Sequence, residues 1–150
     1  MKSDETIRPL LRELLSAQKL AVLSTHESGQ PYANLVAFAC SDDLKWLYFA
    51  TARSTRKFAN LLEDARVALL VSSSANKESD FQDAMAATIV GSAVEVLGEE
   101  RQSALTTYLA KHPYLEDFVR ASECALVKVH ARSYILVDNF QHVTALHMDA

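Results

Sequence analysis

Apolar residues recur with one period before residue 20 and with another after it. In the first stretch they lie three or four positions apart, which is typical of an amphipathic helix with one buried face. Asp4 or Thr6 can cap this helix, and Pro9 lies near its first turn. The sequence therefore predicts an N-terminal helix that covers a core with the side chains of Ile7, Leu10, Leu11, Leu14 and Leu15.

Beyond this helix the pattern changes to short runs of β-branched and apolar residues bounded by turn residues. Residues 20–24 and 32–40 form two such runs, and the polar stretch between them contains glycine and proline, which predicts a hairpin. A turn at residues 41–43 leads to a third run, residues 45–50. We expect these three strands to pair as an antiparallel meander.

The rest of the chain alternates between strands and helices with few parallel crossovers. Short strands with turn signals favour a mainly β, α+β fold: a six-stranded antiparallel barrel with flanking helices. Gly91 indicates a bulge or a close backbone approach in its strand. The predicted elements here are helices over residues 53–64, 99–111 and 114–121, an exposed loop over 73–83, and strands over 66–72, 85–96, 124–129 and 134–137, the last two separated by residues 130–133.

Composition is typical of one globular domain, residues 1–150, because the chain is 49% apolar and 23% charged. The formal net charge of −4 leaves no broad basic surface, so we expect no nucleic-acid partner. No apolar run is long enough to span a membrane, and acidic residues lie where a signal peptide is basic, so we expect a cytoplasmic protein. Cys40 and Cys124 lie in separate apolar runs, which is typical of buried free thiols.

Three cations, Arg53, Arg56 and Lys57, crowd the predicted start of the helix that follows the third strand. A helix N-terminus already has unpaired N–H groups and about half a positive charge. A bound phosphate would resolve this conflict by using the backbone donors, two hydroxyls and the basic side chains. The alternative is a solvated basic turn capped by Ser54 or Thr55. With only three glycines the chain lacks both the G-x-G-x-x-G dinucleotide turn and the G-x-x-x-x-G-K-[ST] phosphate loop, so any nucleotide must be bound by a different arrangement of residues.

Four short motifs follow one another in the first half of the chain. They are Gly29-Gln30-Pro31-Tyr32 before an apolar strand, Ala50-Thr51 at a strand end, Ser54-Thr55-Arg56-Lys57 opening a helix with Asn60-Leu61, and Arg66-Val67-Ala68-Leu69-Leu70 after it. In this order they resemble the FMN-binding split-barrel family related to pyridoxamine 5'-phosphate oxidase. The resemblance spans roughly the first hundred residues, and the pattern of the remainder is compatible with it. It implies a split β-barrel that binds FMN.

The resemblance also implies a position for each part of the cofactor. Family members hold the FMN phosphate with an Arg-Lys pair and nearby hydroxyls, which correspond here to Arg56 and Lys57 with Thr51, Ser54 and Thr55; Ala50, next to Thr51, belongs to the same predicted cofactor site. The flavin ring lies along the second strand, where alternate side chains and exposed backbone groups can contact a flat ring. The corresponding residues are Asn34, Leu35, Val36, Ala37 and Phe38. The other interpretation of this strand is barrel core alone.

For function, the resemblance implies a homodimer with the cofactor at the interface and an FMN-dependent oxidoreductase that acts on a small molecule. The chain departs from the true oxidase at Ala39, where that enzyme has a lysine, and it lacks the arginine-containing motifs near the C-terminus. Oxidation of vitamin B6 phosphate is therefore not expected, and spacing identifies no catalytic side chain. The alternative is a protein that binds a flavin or haem without turnover.

The C-terminal histidines bear on the haem alternative. Haem-binding and haem-degrading relatives use a histidine near the C-terminus as axial ligand, which corresponds to His147, and Arg56 and Lys57 would then hold the propionates. The other interpretation of this segment is a flexible polar tail. His142 and His147 share no helix face and point to opposite sides of a strand, so we expect no metal site from this pair.

Overall fold

Six antiparallel strands close into a barrel in the computed structural model, which describes residues 4–139 and 141–148. The helices are α1 (Asp4–Ala17), α2 (Arg56–Glu63), α3 (Asp80–Asp83), α4 (Glu100–Lys111) and α5 (Glu116–Arg120). The strands are β1 (Leu20–Glu27), β2 (Gln30–Cys40), β3 (Trp46–Ala52), β4 (Arg66–Ser72), β5 (Ala86–Glu95), β6 (Cys124–Asp138) and β7 (His142–His147).

Strand pairing follows the order β3, β2, β1, β4, β5, β6, β7, and a further pairing of β3 with β6 closes the ring. Strands β1 to β3 form the predicted meander. One edge of β6 pairs with β3 along its first half and with β7 along its second half. The predicted α+β fold, with a six-stranded antiparallel barrel and flanking helices, is therefore confirmed, and β7 is an additional strand.

The barrel has apolar packing on both its inner and its outer surface. Inside, Phe38 and Phe49 are fully buried in one cluster with Ile7 and Leu11 of α1. Outside, α4 packs over Ala39 and neighbouring residues of β3 and β6. Strands covered on both faces read as continuous apolar runs, and this explains why residues 36–40, which are buried or half-buried throughout, show little alternation in sequence.

Gly91 lies at the predicted irregularity of β5. Val90 pairs with Ser133 and Gly91 pairs with Ala131, so Arg132 is the extra residue of a β-bulge. A Cβ atom at position 91 would clash with the backbone oxygen of His130. The predicted close backbone approach at Gly91 is confirmed, and the bulge lies opposite Gly91 in β6 instead of in β5.

Several element boundaries differ from the prediction. Residues 130–133 continue β6 because the strand pairs with β5 on both sides of the bulge. The C-terminal segment, for which a flexible polar tail was one interpretation, is strand β7, whose Thr144 and Leu146 are each 1% exposed. Helix α2 begins at Arg56, after the N-cap Thr55, so Arg53 precedes it. The predicted loop contains α3.

Candidate functional site

A split between β2 and β3 opens the wall of the barrel. The two strands pair only where Phe38 to Cys40 of β2 lie opposite Leu47 to Phe49 of β3. Beyond this point β2 stays paired with β1, whereas β3 stays paired with β6 as far as Ala52. The strands therefore separate, and a cleft forms between them.

The backbone of β2 faces this cleft with groups that have no strand partner. The Phe38 N–H donates to the Lys19 oxygen on the β1 side. Because successive residues of a strand direct their N–H and C=O groups to opposite edges, those of Leu35 and Ala37 point towards the split. Tyr108 of α4 donates its hydroxyl proton to the Ala37 C=O at 3.2 Å. The other backbone N–H and C=O groups of β2 that point towards the split can form hydrogen bonds with a ligand.

The cleft has a volume of about 390 Å³ and lies on the outer side of the barrel. Ligand sites for small molecules typically measure about 300–1,000 Å³, so this cleft is large enough for a cofactor or a substrate. Strands β2 and β3, the start of α2 and the segment from α4 to α5 all contribute to its walls. The lining residues are Leu35, Val36, Ala37, Ala50, Thr51, Ala52, Thr55, Lys57, Tyr108, Leu115 and Phe118.

Hydroxyl groups fix the start of α2 at one end of the cleft. The Thr55 hydroxyl accepts from the Phe58 N–H at 3.3 Å and donates to the Ala52 oxygen at 2.8 Å. It also lies 2.9 Å from the hydroxyl of Thr51. Further along the helix, the amide of the buried Asn60 donates to Thr25 of β1 at 3.0 Å. These contacts hold the N-terminus of α2 against the barrel.

The three cations of this segment have different environments. Arg53 pairs with Glu95 at 2.6 Å, and Arg56 pairs with Glu27 at 2.7 Å. Lys57 has no ion-pair partner among residues 4–139 and 141–148, and partial burial lowers its pKa. Lys57 therefore brings to the cleft a charge that no carboxylate of those residues compensates.

The structure brings together seven of the eleven predicted site residues in the cleft: Leu35, Val36, Ala37, Ala50, Thr51, Thr55 and Lys57. Ser54 and Arg56 line a neighbouring groove of about 310 Å³ together with Glu27. The Phe38 side chain is fully buried in the core. Asn34 is half-buried, and its Oδ1 has no hydrogen-bond partner within the described part of the chain.

Sequence reasoning missed four of the lining residues: Ala52, Tyr108, Leu115 and Phe118. The last three lie more than fifty positions after the basic segment. Their apolar character gave no signal of a site, because apolar residues in helices normally indicate packing. Only the docking of α4 against β2, through Tyr108 and Ala37, brings them to the cleft.

His147 lies far from this cleft within one chain. It pairs with Ser133 of β6, whereas the cleft residue Thr51 pairs with Ala125 of the same strand. The eight intervening steps correspond to about 26 Å along β6. The described residues contain no group of three or more His, Cys, Asp or Glu side chains that could hold a metal ion.

The hydrogen bond between Tyr108 and Ala37 is expected to contribute to the stability of the fold. The variant Tyr108→Phe leaves the Ala37 C=O without this partner, and we expect the free energy of unfolding to fall by about 1 kcal/mol. Urea denaturation measures the change. Tyr114→Phe is the matched control because Tyr114 is 78% exposed, and it should leave stability unchanged. Equal effects of the two variants would show that this hydrogen bond does not hold α4 against β2.

No helix in the described ranges is both long and apolar enough to cross a membrane.

Comparison with known proteins agrees with this architecture. The haem-binding protein from Mycobacterium smegmatis has a TM-score of 0.83 at 13% sequence identity. The alignment covers 98% of this chain and 59% of that protein, so this chain spans less than two thirds of its length. A protein related to general stress protein 26, from Clostridium acetobutylicum, gives 0.74 at 17% identity, with 98% of both chains covered. An FAD-binding protein from Mesorhizobium loti gives 0.68 at 15% identity, with 85% and 90% covered.

Sequence comparison gives a more specific result than these structural similarities, which at such low identity support the fold alone. No curated protein matches the sequence. Residues 7–145, nearly the whole chain, match the family described as pyridoxamine 5'-phosphate oxidase. The chain therefore belongs to the pyridoxamine 5'-phosphate oxidase family of split-barrel proteins.

Proposed function

We propose that this protein binds FMN in the cleft between β2 and β3 and acts as a flavin-dependent oxidoreductase. The observation that carries the proposal is the uncompensated charge of Lys57, which lies at the start of α2 beside the hydroxyls of Thr51 and Thr55. A phosphate group would accept hydrogen bonds from the Lys57 ammonium and the Thr51 hydroxyl, while the Thr55 hydroxyl keeps its proton on the Ala52 oxygen and fixes the start of α2. The FAD-binding relative is consistent with a flavin in this fold.

The rest of the cleft fits a flat, largely apolar ring. Leu35, Tyr108 and Phe118 offer apolar surface, and the unpaired edge of β2 offers backbone donors and acceptors. A ring system with polar atoms along its rim needs both kinds of contact. The predicted ring contacts at Asn34 and Phe38 are not supported by the backbone, because both residues direct their N–H and C=O groups towards β1, and the Phe38 side chain is buried.

A bound flavin would supply electron and hydride transfer, whereas the protein would bind, orient and exclude water. Burial raises the pKa of Tyr108 to about 12, so its hydroxyl stays protonated and keeps donating to Ala37. Ala39, where the true oxidase has a lysine, is 2% exposed beneath α4. We therefore propose a small substrate other than vitamin B6 phosphate.

We also propose that the functional unit is a homodimer. The outer surface of the barrel has a row of apolar side chains on paired strands, in which Val22 lies between Leu35 and Leu70. Leu35 is 64% exposed and Leu70 is 42% exposed, and Leu20 and Val90 extend this patch. Two copies can bury it through the same surface on each. Because Leu35 also lines the cleft, a partner subunit would help to enclose the cofactor.

Titration of the purified protein with FMN, followed by its absorption spectrum and fluorescence, tests the cofactor proposal. We expect saturable binding and weaker binding of riboflavin, which lacks the phosphate that Lys57 would contact. Reduction of the bound flavin by NADH or NADPH without oxygen would support an oxidoreductase. No saturable binding of FMN would overturn the proposal.

Haem is the alternative cofactor, since the relative from Mycobacterium smegmatis is named as a haem-binding protein. Within one chain, His147 lies about 26 Å along β6 from the residue that pairs with Thr51, so it would not reach the haem in the same cleft. For a cofactor ligated within one chain, this distance favours FMN. A Soret band that appears on adding haem and is lost in His147→Ala would favour haem instead.

A further inference from the structure

A second cavity, of about 500 Å³, lies between α1, α4 and the turn that joins β2 to β3. It is separate from the cleft described above, because the two have no lining residue in common. The residues that line it are Arg12, Leu15, Ser16, Ala39, Cys40, Ser41, Asp42, Leu44, Thr106, Thr107, Ala110 and Lys111.

Two cations in this cavity have no carboxylate partner within the described ranges: Arg12 and Lys111. Arg12 donates from Nε to the backbone oxygen of Asp42 at 2.9 Å, which leaves its terminal nitrogens available. Lys111 donates from Nζ to the Leu15 oxygen at 2.8 Å, near the end of α1. This bond uses one of the three N–H groups of the ammonium.

The position of Lys111 costs free energy because its ammonium group is partly removed from water. Its Nζ lies 3.8 Å from the centre of the buried Phe38 ring, and burial lowers its pKa to about 8. A half-buried cation without a counter-ion loses hydration that a bound anion would replace. A bound anion would therefore stabilise the charged form of Lys111.

The neighbouring groups do not supply that anion. Burial raises the pKa of the Cys40 thiol to about 12, so it remains neutral. Asp43 is outside the cavity, and its carboxylate accepts from the Ser41 hydroxyl and the Lys45 N–H. Asp42 is the one carboxylate among the lining residues, and it is exposed, so two cations face a single carboxylate.

The Thr107 hydroxyl adds a donor beside the two cations. Thr107 and Lys111 are one turn apart on α4, so they lie on one helix face. Ser16, one turn after Arg12 on α1, already donates its hydroxyl proton to the Glu13 oxygen at 3.2 Å. The Thr107 hydroxyl has no hydrogen-bond partner among the described residues. We propose that this cavity binds a small anion, a carboxylate or a phosphate monoester, between Arg12 and Lys111.

Backbone-amide NMR of the full chain, titrated separately with inorganic phosphate and with acetate, tests the site. We expect saturable signal changes in α1 and α4 for at least one anion, and the tighter of the two identifies the anionic group. Lys111→Met should weaken this binding at least about ten-fold, because it removes a charge-assisted contact. Lys111→Arg, which keeps the charge, should restore most of the affinity.

Two further variants test whether the anion binds in this cavity and nowhere else. Arg12→Gln changes an exposed side chain, so the fold should persist while anion binding weakens. Lys57→Ala changes the other cleft and should leave the signal changes in α1 and α4 unaffected, whether or not the protein binds FMN. Absence of saturation with both anions, or equal affinity in wild type and Arg12→Gln, would overturn the proposal.

Discussion

The Lys57→Ala variant is expected to bind FMN about 30-fold more weakly than the wild-type protein. This factor corresponds to about 2 kcal/mol, the typical contribution of one hydrogen bond to a charged group. Lys57 has no competing ion pair within the part of the chain that the structure describes, so its ammonium can bind the phosphate without breaking one. Fluorescence titration with FMN measures the loss.

Arg56→Ala should have a smaller effect, of about 1 kcal/mol or less. Its side chain is 59% exposed and already pairs with Glu27, so phosphate binding would have to replace that contact. The double variant Arg56→Ala with Lys57→Ala should lose the sum of both effects, unless the two cations share one phosphate oxygen. If Arg56→Ala loses more FMN affinity than Lys57→Ala, the phosphate binds in the groove beside Glu27 instead of in the cleft.

Riboflavin and a distant lysine provide the controls for this experiment. Lys57→Ala should leave riboflavin affinity unchanged, because the variant removes a phosphate contact only. Lys45→Ala removes an exposed lysine next to the turn between β2 and β3, and it should leave FMN affinity unchanged. Equal loss for FMN and riboflavin would indicate a damaged cleft.

The second large effect is expected from Leu70→Glu at the apolar barrel surface. In a symmetric dimer this single change introduces two buried carboxylates, one from each copy. An uncompensated buried charge costs several kcal/mol, so the dimer dissociation constant should rise by about a thousand-fold, equivalent to about 4 kcal/mol. Sedimentation equilibrium measures the shift from dimer to monomer.

Flavin binding should weaken in the same variant although Leu70 is not a lining residue of the cleft. The reason is that the partner subunit would no longer enclose the cleft beside Leu35. Leu62→Glu is the matched control, since Leu62 is 71% exposed on α2, outside the barrel surface. It should leave both assembly and FMN binding unchanged. A dimer that persists in Leu70→Glu would show that this surface is not the interface.

The local sequence predicted helices and strands correctly where residues close in sequence determine the structure. The spacing of Ile7, Leu11 and Leu14 predicted α1, and turn residues predicted the meander of the first three strands. The two errors at the C-terminus have a different cause. The continuous β6 depends on pairing with β5, which is distant in sequence, and the short β7 mixes polar and apolar residues, so neither segment gives a clear periodic signal of its partner.

The candidate site was predictable in part for the same reason. The order of motifs from Gly29 to Leu70 identified the family and seven residues that the structure brings together in the cleft. Ion pairing could not be deduced in this way. Glu27 and Glu95 lie far along the chain from Arg56 and Arg53, and only the folded barrel brings each carboxylate to its cation.

The sequence by itself determined the antiparallel barrel, the family and the basic start of α2, because these depend on local periodicity and short motifs. The tertiary structure decided which of the three cations is left for a ligand. It paired Arg53 and Arg56 with carboxylates from other strands and left Lys57 beside the split without a carboxylate partner among the described residues. It also placed Tyr108 in the cleft and Lys111 in a second cavity. The physical reason is that charge compensation depends on distances in space, which sequence separation does not determine.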